Sequence, residues 1–139
     1  MAAVTQKLTD GDRIATFRFV NADTDETTAT TKVDISDSAE IDPGGPNKTQ
    51  PTSLRILRMW YNTGTNAVSL LYGATANQLI WTMAASHDGY LDFRCAGGLP
   101  PADTGAAGFT GDFLLQVDAA TTGPDDGYSM IVEFEKRYD

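Results

Sequence analysis

Residues 127–138 alternate with a period of two. Tyr128, Met130, Val132 and Phe134 fall on one side, and Ser129, Ile131, Glu133, Glu135 and Arg137 on the other. Successive side chains of a strand point to opposite faces, so this segment is a strand with one apolar and one mostly solvated face. Asp125-Asp126-Gly127 before it is a turn signal, because Asp and Gly tolerate the backbone of tight turns. A face this apolar is hidden from water only by a second apolar layer, and the rest of the chain is expected to supply it.

The other segments agree. Residues 1–12 are small and polar and read as an arm or a loose first strand. Residues 13–20 and 32–36 read as strands, separated by an Asp- and Thr-rich loop at 21–31. Residues 36–53 hold Pro43, Gly44, Gly45, Pro46 and Pro51, a density of breakers that forbids a regular element. This long loop is the expected hinge between an N-terminal portion and the main body. Residues 54–61 and 68–72 flank an Asn-Thr-Gly-Thr-Asn turn and read as a hairpin. Further strands are expected at 79–83, 90–93, 112–118 and 128–138, with a second long loop at 96–111 and a turn region at 119–127. No charge occurs from 59 to 87, which predicts burial in a core or between subunits. No window has a convincing helical period with caps. The expected fold is all-β: an antiparallel β-sandwich, jelly-roll-like or immunoglobulin-like, of about eight strands with little or no helix. A single domain at 13–139 follows the arm at 1–12.

Composition narrows the function. The 139 residues suffice for one domain. Net charge is −9, shared evenly: nine acids against five bases in residues 1–50, ten against five in the remainder. Without a basic patch, binding to nucleic acid or to an anionic membrane is not expected. The single cysteine, Cys95, excludes an internal disulfide framework. No run of about 18 apolar residues is present, and no secretory leader is visible, so folding in a cytoplasm is expected.

Little catalytic or metal chemistry is expected. Ser86-His87-Asp88 has the residue types of a nucleophilic triad, but adjacent residues cannot converge on one point. His87, the only histidine, reads as a solvent-facing turn residue. One His and one Cys are too few for a structural zinc site. Asp23, Asp25, Glu26, Asp125 and Asp126 offer loop carboxylates for calcium, without the twelve-residue calcium-loop pattern, and read as solvated turn acids. Asp92, between Leu91 and Phe93, is the one carboxylate with an apolar neighbourhood. Trp60, Tyr61, Trp81 or Tyr90 could stack on a sugar if exposed. No cofactor, metal or catalytic residue is expected.

Several stretches are familiar together: 56–61 with its aromatics, Gly64, Val68-Ser69-Leu70-Leu71-Tyr72, Leu79-Ile80 and Gly89-Tyr90-Leu91-Asp92-Phe93-Arg94. The heaviest are Gly108-Phe109-Thr110-Gly111-Asp112-Phe113-Leu114-Leu115 and Tyr128-Ser129-Met130-Ile131-Val132-Glu133. On these, residues 54–138 resemble small β-rich virion proteins of tailed bacteriophages, many from aquatic hosts. The resemblance implies a non-enzymatic capsid decoration (cement) protein on the head surface, assembled in the host cytoplasm. Its partners would be the major capsid protein and copies of itself, as a trimer. Expected contact residues are Leu54, Ile56, Met59, Trp60, Tyr61 and Trp81, with Pro43 and Pro46 on the loop. A neck or tail adaptor, a fibre-base protein and a carbohydrate-binding β-sandwich module are the alternatives.

Overall fold

The computed structural model describes residues 3–21, 26–99, 102–118 and 127–138. Nine strands form two antiparallel sheets: β1 (Val4–Asp10), β2 (Ile14–Asn21), β3 (Thr30–Val33), β4 (Ser53–Thr63), β5 (Val68–Tyr72), β6 (Gln78–Met83), β7 (Asp88–Asp92), β8 (Phe113–Val117) and β9 (Tyr128–Arg137). The larger sheet has the order β1-β2-β9-β4-β7 and the smaller β3-β8-β5-β6. Among the described residues the only helical segment is a 3-10 turn, Arg94–Ala96. The protein is an all-β sandwich.

The alternation in β9 sets its place. Val132 and Phe134 are fully buried, and β9 lies in the middle of the larger sheet between β2 and β4. Phe113 of β8 meets Phe134 edge-on at 4.9 Å and Phe19 of β2 at 5.3 Å. Those contacts join the two layers through offset aromatic geometry.

Lys136 shares the inward parity of Phe134, yet it is buried. Its ammonium donates to the Asp10 carboxylate and to the carbonyl oxygens of Gly11 at 2.7 Å and Asp42 at 2.9 Å. Three donors meet three acceptors, which is what makes a buried ammonium tolerable. At the other end of β9, the buried Lys32 pairs with Glu26, and the Tyr128 hydroxyl donates to Glu26 at 2.6 Å. The core is therefore closed at each end of β9 by a paired ionic cluster.

Several expectations are corrected. Of the two readings of the polar start, the first strand holds and the free arm does not, because β1 pairs with β2 along the edge of the larger sheet. It is also why nine strands are found. The 36–53 loop is not a hinge. Ile41 is fully buried, the Gln50 amide donates to the carbonyl oxygens of Ile35 and Ile41, and Asp42 helps hold Lys136. Residues 54–61 and 68–72 do not pair: β4 hydrogen-bonds to β7 and β9, whereas β5 bonds to β6 and β8. A turn signal specifies a reversal, not a partner, and this reversal crosses between sheets. β5 instead forms a hairpin with β6. The charge-free 59–87 stretch is not all in the core: Leu79 is 63% and Trp81 39% exposed on β6, the edge of the smaller sheet, which leaves the between-subunits reading for that strand open. The expected turn at 119–127 lies outside the described residues except for Gly127, and so do Asp23, Asp25, Asp125 and Asp126 of the calcium proposal.

Candidate functional site in the aromatic outer face of the larger sheet

One backbone irregularity decides which side chains reach this face. The register of β4 against β9 shifts between Ile56 and Arg58, leaving Leu57 as an extra residue in a bulge. A bulge reverses the inside–outside parity of everything after it. Leu54 and Ile56 point inward before it, and Met59 points inward after it. Arg55, Arg58, Trp60 and Asn62 point outward. Without the bulge, Trp60 would face the core.

The outward residues form rows across the sheet. Gln6 faces Arg18, Arg18 faces Ile131, Ile131 faces Trp60 and Trp60 faces Tyr90, a row through all five strands. The next row runs Val4, Val20, Ser129, Asn62, Asp88. Trp60 and Tyr90 stack with centroids 5.0 Å apart, and the Arg58 guanidinium carbon lies 5.1 Å from the centre of the Trp60 ring. Such cross-strand and cation–π contacts fix the ring orientation. Trp60 is still 40% exposed and Tyr90 45%. Gly89 lies opposite Tyr61, where a methyl group would come within 3.2 Å of the Tyr61 hydroxyl. Together these residues line an open groove of about 640 Å³ that also takes in Arg18, Asn62, Asp88 and Ser129.

Ion pairs border the groove. Arg58 pairs with Glu133 at 3.0 Å and Arg94 with Asp92 at 2.7 Å. Asp92 also accepts from the Tyr90 hydroxyl at 3.1 Å. The Arg94 hydrogen bonds, side chain first and then backbone, hold the Asp92 carboxyl well below the usual carboxylate range. It is ionised at neutral pH and unsuited to donating a proton as a general acid.

The sequence-derived contact residues divide sharply. Leu54, Ile56 and Met59 are at most 1% exposed and sit in the core, so they are withdrawn as contacts. Tyr61 is half-buried beneath the groove. Trp81 is on the opposite sheet, edge-on to Phe93 at 5.5 Å, and does not join Trp60 and Tyr90. Pro43 and Pro46 are exposed on the pinned loop. Arg18, Asn62, Ser129 and Ile131, which complete the groove, were not singled out from the sequence.

Ser86, His87 and Asp88 diverge around the β6–β7 turn. The Ser86 hydroxyl points to the Gly64 carbonyl oxygen at 3.4 Å, and the His87 ring proton on Nδ1 donates to the Ala85 carbonyl oxygen at 2.9 Å. Asp88 faces the groove. Among the described residues no group of three or more His, Cys, Asp or Glu is placed to hold a metal ion.

No family model, no curated protein and no solved structure matches this chain.

Proposed function

We propose that this chain is a non-enzymatic structural protein of a tailed-phage virion, a capsid decoration protein that binds the assembled head and stabilises it. Its partners in this reading are the major capsid protein and two further copies of itself. The sequence resemblance suggests the family. The observation that carries the assembly role is the character of β6. Its six residues, Gln78-Leu79-Ile80-Trp81-Thr82-Met83, contain no charge and no proline, although they form the edge of a sheet. Edge strands of isolated proteins are blunted by charge, proline or bulges, because an unpaired strand invites another chain. An edge with no charge and no proline, interrupted only by a bulge at Ile80, suits a surface that is covered in the working form. Trp81 remains an assigned contact, and Leu79 joins it. A protein that binds only the assembled shell lowers the free energy of that state by mass action.

Quantitative mass spectrometry of purified particles, with gold-labelled antibody imaging, tests the reading. Hundreds of copies on heads are expected. About a dozen copies at the neck, as closed ring symmetry requires, would favour the adaptor alternative instead. Absence from particles overturns the proposal. Leu79→Glu is expected to stay folded and to abolish self-association in sedimentation velocity.

A further inference from the structure

Arg18 differs from the other arginines of the outer face. Arg58, Arg94 and Arg137 each have a carboxylate partner, Glu133, Asp92 and Glu135. Arg55 donates to the carbonyl oxygens of Leu99 and Gly98. Arg18 is exposed, and its hydrogen-bond partner among the described residues is a neutral group, the Gln6 amide oxygen at 3.1 Å. A guanidinium offers five donors in a planar fork that matches a carboxylate, so most of this fork is open to a ligand.

Position gives that fork a meaning. Arg18 and Trp60 are in one row with Ile131 between them, two strand spacings or about 10 Å apart at the backbone. Ile131 is an apolar floor between a cationic end and an aromatic wall. Asn62 and Ser129 stand beside it in the next row, with an amide and a hydroxyl. Asp88 closes that row at the β7 end. The groove is positive and unpaired at β2, aromatic at β4 and β7, and hydrogen-bonding along one side. An apolar ring face, several hydroxyls and one carboxylate complement that order. A plain apolar peptide leaves Arg18 unused, and a neutral sugar uses only half of the groove.

We propose that the outer face of the larger sheet binds an acidic saccharide, with one sugar ring against Trp60, hydroxyls on Asn62, Ser129 and Asp88, and the carboxylate of the adjoining uronic or sialic residue on Arg18. The inference does not depend on the virion assignment, since it concerns the isolated chain. Absence of the chain from particles would leave it standing.

The test uses the full chain carrying Trp81→Phe, so that Trp60 is the only indole reporter. Trigalacturonate and 3′-sialyllactose are titrated against their neutral counterparts, methyl-esterified trigalacturonate and lactose, with triglutamate as an acidic peptide. Binding of at least one acidic saccharide is expected, about tenfold or more tighter than its neutral counterpart and weakened by salt. Arg18→Gln should abolish the preference for the acid, and Trp60→Ala, which lacks the reporter and is followed by isothermal titration calorimetry, should abolish binding, both with the fold retained by circular dichroism. Equal affinity for acid and neutral forms overturns the proposal. So do silence of both acidic saccharides, triglutamate binding as tightly as the saccharides, and binding that survives Trp60→Ala.

Discussion

The two faces of the larger sheet are built from alternate residues of the same strands, and they differ in almost every physical respect. Inside, Phe17, Phe19, Val132 and Phe134 are nearly inaccessible, and the ionic groups at the ends of β9 have their partners. Outside, Trp60 and Tyr90 are exposed, and Arg18 has only a neutral partner among the described residues. The difference teaches that alternation separates two tasks. One parity of each strand supplies stability, and the other is free to carry recognition with little effect on stability.

The largest effects should fall inside. Phe134→Ala removes a ring packed edge-on against both Phe17 and Phe113, and a loss of about 3–5 kcal/mol in urea unfolding is expected. Lys136→Met removes the buried ammonium from Asp10 and leaves its carboxylate with Lys7 and the Asp42 N–H alone, and about 2–3 kcal/mol should be lost. Burial by itself pushes the Asp10 carboxyl up, but Lys136, the Asp42 backbone N–H and Lys7 together hold it below its ordinary value. A carboxyl lowered on folding stabilises above its unfolded value of about 3.9 and loses that contribution as pH falls through the folded value. Calorimetry of the native chain should show this loss below about pH 4, and Lys136→Met should flatten it.

A smaller effect of opposite sign is expected at Tyr72. Its buried hydroxyl finds no hydrogen-bond partner among the described residues, and burial pushes it up to about 12. Tyr72→Phe removes an unsatisfied polar atom while keeping the ring, so unfolding should become harder by about 1 kcal/mol. Outside, Trp60→Ala should cost about 1 kcal/mol through the lost Tyr90 and Arg58 contacts. Arg18→Gln should change stability by less than about 0.5 kcal/mol. A core-sized loss from either outer substitution would break the separation of the two faces.

Much of the inner face was legible in the sequence. The alternations of β9 and β8 and the β-branched and aromatic content of β2 identified strands because a buried face must repeat every second residue. The partners of those strands were not legible, since a turn such as 62–66 says only that the chain reverses. The bulge at Leu57 hid the outer face. Residues 54–61 looked apolar on both sides because parity changes midway, and the trace of it was Arg55 and Arg58 three apart, both bound for solvent. Lys136 stood on the apolar parity of β9, but nothing local named Asp10, far away in the chain, as its counterion. Whether the charge-free β6 belongs to a core or to a contact between subunits was not legible, because lack of charge is the same in a covered strand and in an apolar edge.

The separation of tasks is tested most directly by following backbone amide resonances of the labelled chain during titration with trigalacturonate and with 3′-sialyllactose. Shifts confined to Arg18, Trp60, Asn62, Tyr90, Ser129 and Ile131 and their immediate neighbours, with β6 and β8 unmoved, are predicted for at least one of the two. Shifts centred on Leu79 and Trp81, or spread through β8, or none with either ligand, would contradict it.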